Sequence, residues 1–309
     1  MLAQYLPRTR MVRAPSLEKT PEQRVYLKLE SELPTNSFKV RGAIYALRAC
    51  EQRGVDVREV VASSTGNHGA AVAYSARSLG WKTRIFLPEK CNPVKRKNIA
   101  RLGAEIVEKG ALDLADAFVA ASEYASRSGA FFLNDATDPD LPAGPGTIAC
   151  EILEQQPDVE AIYVPMGDTA LIRGMAAAGK YLSPKAKIIG VQSEQAPCYY
   201  LSWKDGRAIE TETCDTIADG LATRRPVADN VKAIRELVDE VVLVSEEEML
   251  RAIRLLLLEE HIVAEPAGAA ATAAFLKSAD DSPKSTALLV SGANITEEVL
   301  RAALDRGSG

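Results

Sequence analysis

Short apolar runs alternate along the chain with longer stretches in which alanine and polar residues recur at helical spacing. The runs "EVVASS" (59–64), "KTRIFLP" (82–88), "AEIVEKG" (104–110), "AIYVPMG" (161–167), "KIIGVQ" (187–192) and "TALLVSG" (286–292) read as strands. Between them, "GAAVAYSARSLG" (69–80), "NPVKRKNIARLG" (92–103), "LADAFVAASEYASRSG" (114–129) and "ALIRGMAAAGKYL" (170–182) read as helices. "VSEEEMLRAIRLLLLEEH" (244–261) opens on a capping box, Ser245 to Glu248. Strands that are apolar on both faces and separated by helices predict an α/β protein with parallel sheets covered by helices.

Three strand-to-loop junctions are rich in Gly, Ser, Thr or Asn: "SSTGNHG" (63–69), "MGDTALIRG" (166–174) and "VSGANIT" (290–296). In open α/β sheets ligands bind beyond the carboxyl ends of the strands, so these junctions predict one cleft. A lysine, Lys39, stands between Phe38 and Val40 in "NSFKVRGA" (36–43), ahead of the apolar run "AIYALRA". Local context leaves two readings open. One is a helix-start lysine whose stem lies on the surface with its head in water. The other is a Schiff-base lysine, its amine kept neutral by burial and free to attack a carbonyl.

Composition narrows the field. With 309 residues, the chain is long enough for two domains. A net charge of −5 argues against a nucleic-acid surface or a polybasic membrane patch. No apolar run reaches membrane-spanning length, and "MLAQYLPRTRMVRAP" lacks the unbroken apolar stretch of a secretory signal. The five cysteines show no CxxC spacing, which points to a cytoplasmic protein without disulfides or structural zinc.

The motifs "NSFKVRGA", "STGNHG", "VPMGDTALIRG", "EPAGA" and "SGAN" occur in the order found in fold-type II, tryptophan-synthase-β-like pyridoxal-phosphate enzymes. The chain most resembles their threonine/serine dehydratase and serine racemase branch, which "TIADGLATRRP" and "IRELVDEVVLVSEEEM" also match. The resemblance implies two open, twisted, mostly parallel sheets flanked by helices, with pyridoxal 5'-phosphate in an interdomain cleft. It divides the chain into a large cofactor-binding domain (1–56 plus 138–309) and a small mobile substrate-loop domain (57–137). It further implies that Lys39 carries the cofactor and moves protons at the substrate α-carbon, with Phe38 packed beside the cofactor ring. Asn67 would bond the ring hydroxyl, while Ser64, Thr65, Gly66, Asn67 and His68 would line a pocket for the substrate carboxylate. A helix starting at residue 69 would turn its N–H groups toward that carboxylate. Gly167, Asp168, Thr169, Ala170 and Leu171 would cradle the phosphate, and Ser291 would face the pyridine nitrogen. For Glu265 two readings stand, flanking the ring or beginning a helix.

Three departures from the pattern refine these expectations. Thr65 stands where racemising relatives carry the serine that acts as acid/base opposite the lysine; the stiffer threonine favours elimination over racemisation. The loop 167–170 keeps one of four usual glycines, and Asp168 is expected to point away from the phosphate and cap the following helix. Gln192 and Cys198 occupy the positions of the Glu and Asp that bind a divalent cation in some relatives, so no metal is expected. The expected activity is that of an ammonia-lyase, or dehydratase, converting L-threonine, L-serine or a bulkier β-hydroxy amino acid such as phenylserine or 3-hydroxyaspartate to a 2-oxo acid and ammonia. Racemisation or β-replacement on the same cofactor is the alternative. The resemblance also implies a homodimer. Because the sequence ends soon after the Ser291 strand, no C-terminal regulatory domain is expected.

Overall fold

The computed structural model describes residues 1–64, 66–89, 93–108, 110–111, 114–278 and 283–305. Their contacts divide the chain into two units, 1–7 with 33–144, and 8–32 with 145–309.

The first unit is built on a four-stranded parallel sheet of β3 (Glu59–Ser63), β4 (Lys82–Phe86), β5 (Glu105–Val107) and β6 (Phe131–Phe132), in the spatial order β5-β4-β3-β6. It also holds α1 (Lys39–Gln52), α2 (Asn67–Ser78), α3 (Pro93–Arg101) and α4 (Leu114–Ser128). The helix α1 packs against α2, and this places it in the first unit. The boundary expected at residue 57 leaves it in the other domain. Gly144 allows a close approach here: a Cβ on it would lie 2.3 Å from the Arg41 carbonyl oxygen.

The second unit carries a six-stranded sheet in the order β1-β2-β10-β7-β8-β9. Its strands are β1 (Met11–Arg13), β2 (Arg24–Leu29), β7 (Ala161–Pro165), β8 (Lys187–Ser193), β9 (Glu240–Val244) and β10 (Ser285–Val290). Only β1 runs antiparallel to its neighbour. Every residue of β7 and β10 is buried, as central parallel strands require. Most of α5 (Ala143–Gln155) belongs to this unit, followed by α6 (Ala170–Leu182), α7 (Cys198–Asp205), α8 (Ala228–Leu237), α9 (Glu246–Leu258), α10 (Pro266–Lys277) and α11 (Glu297–Asp305). The Ser245–Glu248 capping box forms with both of its hydrogen bonds. The alanine-rich α10 buries ten consecutive residues, Pro266 to Phe275, and packs against α9 and β10.

One buried polar knot ties this unit together. The Lys28 ammonium on β2 has no exposed side-chain surface and donates to Glu151 Oε2 (2.6 Å), Gln155 Oε1 (2.9 Å) and the Thr9 carbonyl (2.9 Å). The Thr9 hydroxyl in turn donates to Glu30 at 2.7 Å. Among the described residues no helix is long and apolar enough to cross a membrane.

Candidate functional site

The first unit places its chemistry at the carboxyl ends of its strands. Lys39 is the first residue of α1, with Phe38 as the N-cap. An ammonium at a helix start meets unpaired N–H groups and the positive end of the dipole, which favour the neutral amine. The structure supplies the opposing charge: Lys39 Nζ donates to Asp135 Oδ2 at 2.6 Å, with the lysine side chain 16% exposed. The expected neutral amine is therefore met by an ion pair, which favours its charged form. The Phe38 ring centroid is 5.6 Å from the same nitrogen, within cation–π range.

Asp135 follows the last residues of β6. Leu133 N–H bonds to the Val61 carbonyl, and Asn134 Oδ1 accepts from Ala136 N–H at 3.0 Å, which fixes the turn. Burial alone pushes the Asp135 carboxyl up, but the charges of His68 and Lys39 and the Lys39 hydrogen bond outweigh it. The group is held well below the usual carboxylate range. His68 is buried, and its Nε2 lies 2.9 Å from the Leu133 carbonyl oxygen. A carbonyl oxygen only accepts, so Nε2 donates. Nδ1 then faces Asp135 Oδ2 at 3.8 Å and has no hydrogen-bond partner among the described residues.

The helix after the Asn loop starts at Asn67, two residues earlier than the sequence predicts, with Gly66 as N-cap. Asn67 and His68 thus stand in its first turn. Ser64 Oγ accepts from Gly66 N–H at 3.3 Å. Gly69 is required, since a Cβ there would sit 2.6 Å from the Ser64 carbonyl oxygen. Thr65 lies outside the described residues.

In the second unit the loop between β7 and α6 carries the predicted anion cradle. Gly167 accepts no side chain: a Cβ would lie 2.2 Å from the Gly220 carbonyl oxygen. Thr169 takes the left-handed conformation (φ 69°) and is the N-cap of α6, without a side-chain cap bond. Its hydroxyl instead accepts from Arg173 Nε at 3.2 Å. The N–H groups of Ala170 and Leu171, in the first turn, have no partner within the helix, as at any helix start. Asp168 is not the cap expected of it, because Thr169 occupies that position. The Asp168 carboxylate accepts from the Thr223 hydroxyl at 3.0 Å.

Beyond β10, Ser291 is buried, with Oγ 3.4 Å from the Ala267 carbonyl oxygen. Glu265 is buried as the N-cap of α10, and its N–H bonds to the Gly292 carbonyl at 3.0 Å. Gly268 lets α10 approach that loop, since a Cβ on it would lie 2.2 Å from the Gly292 oxygen. Gln192 Oε1 accepts from Tyr200 N–H, and the buried Cys198 thiol donates to the Thr223 carbonyl. Burial, reinforced by Asp168, pushes that thiol up to about 12, so it stays protonated and is no hard anionic ligand.

These residues fit a phosphorylated aldehyde, each unit by itself. The first offers a primary amine able to bond a carbonyl carbon. The second offers first-turn N–H donors beside a glycine whose place no larger residue can take. Sequence reasoning missed Asp135. The signal was present: "FFLND" (131–135) is a fourth polar junction after an apolar run, hidden because its strand is two residues long.

Comparison with known proteins shows the family. The family model of pyridoxal-phosphate dependent enzymes matches residues 2–292. L-threonine ammonia-lyase of Thermotoga maritima is 36% identical over 306 residues, covering 99% of this chain and 76% of that protein. The solved structure of a threonine deaminase from T.th. superposes with a TM-score of 0.89 at 34% identity, covering 96% of this chain and 95% of that one. Maize serine racemase gives the same TM-score at 27% identity, covering 99% and 94%.

Proposed function

The chain belongs to the pyridoxal-phosphate-dependent enzyme family, and from that premise we propose that it is an ammonia-lyase converting a β-hydroxy amino acid to a 2-oxo acid and ammonia. L-Threonine and L-serine are the default substrates. The observation that carries this reading is the likeness, over 99% of the chain, to an L-threonine ammonia-lyase. The cofactor is pyridoxal 5'-phosphate. When bound, it supplies the electron sink that makes the substrate α-carbon acidic.

The chain's own residues do the rest. Lys39 Nζ would hold the cofactor through its aldehyde carbon and would take the proton from the substrate α-carbon. The N–H groups and hydroxyl of the Gly167–Leu171 loop bind phosphate oxygens. Phe38 would pack beside the ring, Asn67 would bond its hydroxyl, and Glu265 would flank it. Ser291 Oγ would meet the ring nitrogen; a neutral hydroxyl cannot hold that nitrogen protonated as a carboxylate would. This suits elimination, in which the β-hydroxyl carries away the negative charge. Ser64, Thr65, Gly66, Asn67 and His68 would orient the substrate carboxylate. The protein works in the cytoplasm as a homodimer.

The likeness to maize serine racemase supports a second reading, racemisation on the same cofactor. A panel of L-threonine, L-serine, phenylserine and 3-hydroxyaspartate separates them. Release of 2-oxo acid and ammonia is the expected result, lost in Lys39→Ala. D-Serine without 2-oxo acid would establish the racemase instead, and product formed only with an added nucleophile would establish β-replacement.

A further inference from the structure

The carboxylate that pairs with Lys39 has no part in the chemistry assigned above. Asp135 meets the Lys39 amine at 2.6 Å, and only 21% of its side chain is exposed. We propose that Asp135 is the positioning residue of Lys39, holding its amine protonated and aimed until an aldehyde arrives, and so setting the pH at which the chain captures its cofactor. The proposal rests on the reading of Lys39 as the cofactor lysine.

Two influences on the amine oppose each other. The start of α1 favours the neutral form, whereas a carboxylate in contact favours the ammonium. At 2.6 Å the carboxylate dominates, since a charge-assisted bond of this length is among the strong ones. Among the described residues His68 from α2 also faces Asp135, 3.8 Å away with its Nε2–H committed to Leu133. Asp138 and Asp140, later in the same loop, are engaged elsewhere. Asp138 accepts from the Asp140 and Leu141 N–H groups, and Asp140 pairs with Arg53 at 2.6 Å. Capture of an aldehyde balances without any further reagent. Two of the three ammonium hydrogens leave with the carbonyl oxygen as water, and a C=N bond replaces C=O with no change of oxidation state. The nitrogen must first lend a proton to expose its lone pair, and Asp135 sets how readily it does so.

The test uses the full chain freed of cofactor, as wild type, Asp135→Asn and Asp135→Ser. Competitive acetylation across a pH series, read by peptide mass spectrometry, gives the midpoint of Lys39, with the exposed Lys232 as internal reference. Either variant is expected to lower the Lys39 midpoint by about one unit or more, so that roughly tenfold more neutral amine is present near pH 7. Borohydride trapping of pyridoxal 5'-phosphate on Lys39 should shift to lower pH in step. An unchanged midpoint in a variant that folds by circular dichroism overturns the proposal. So does a wild-type midpoint below that of Lys232, whatever the variants do. If the midpoint shifts but borohydride never traps cofactor at position 39, the positioning role stands and the cofactor-lysine reading falls.

Discussion

Lys39 occupies the helix position least suited to an ammonium, and its carboxylate partner leaves a signature in acid. Asp135 holds its proton more weakly in the folded chain than in the unfolded one. Its pairing therefore contributes fully above the ordinary carboxylate range and fades as pH falls through and below it. The melting-temperature gap between wild type and Asp135→Asn is expected to be widest near neutral pH. It should close on acidification below about pH 4, as thermal melts at several pH values would register. Cys198 gives the opposite kind of prediction. With its thiol pushed up to about 12 and its side chain buried, it should resist iodoacetamide at pH 8 in the folded chain and react once urea unfolds it. Mass spectrometry of the labelled peptides would reveal this. Lys39 was legible in the sequence because it stands in a motif of eight residues. Asp135 was not, because only tertiary structure brings the turn after β6 to α1, a separation of 96 residues.

Among the elements, the sequence spelled out those with an unbroken period. The reading of α6 as 170–182 coincides with Ala170–Leu182, and the capping box of α9 was visible as Ser245 and Glu248. Ser245→Ala removes the bond to Glu248 N–H and is expected to cost about 1 kcal/mol in urea denaturation, without changing cofactor content. Less legible were β1 and β6, three and two residues long, whose pairing depends on neighbours rather than on their own pattern. The start of α2 was misplaced for a related reason. Gly66, Asn67, His68 and Gly69 read as a turn by propensity. Yet His68 anchored on the Leu133 carbonyl and Gly69 pressed against the Ser64 oxygen draw Asn67 and His68 into the helix.

For the molecule as a whole, helices alternating with buried strands made β3, β4, β5, β7, β8 and β10 readable, whereas β2 and β9 were not read as strands. The membership of α1 was not readable, since it follows from packing on α2. Neither was the knot around Lys28, because a lone lysine in "RVYLKL" looks like a solvated strand face. Yet that ammonium is sealed in, and it spans β2, α5 and the segment before β1. Removing Glu151 alone by Glu151→Ala strands a buried positive charge and is expected to cost about 3–5 kcal/mol. The paired replacement Lys28→Met with Glu151→Leu should cost far less than the sum of its parts, which denaturant melts of the three variants would reveal. The knot therefore makes position 28 and position 151 one unit of change: either residue replaced alone leaves a sealed-in charge unanswered, and only a joint exchange spares the sheet that loss.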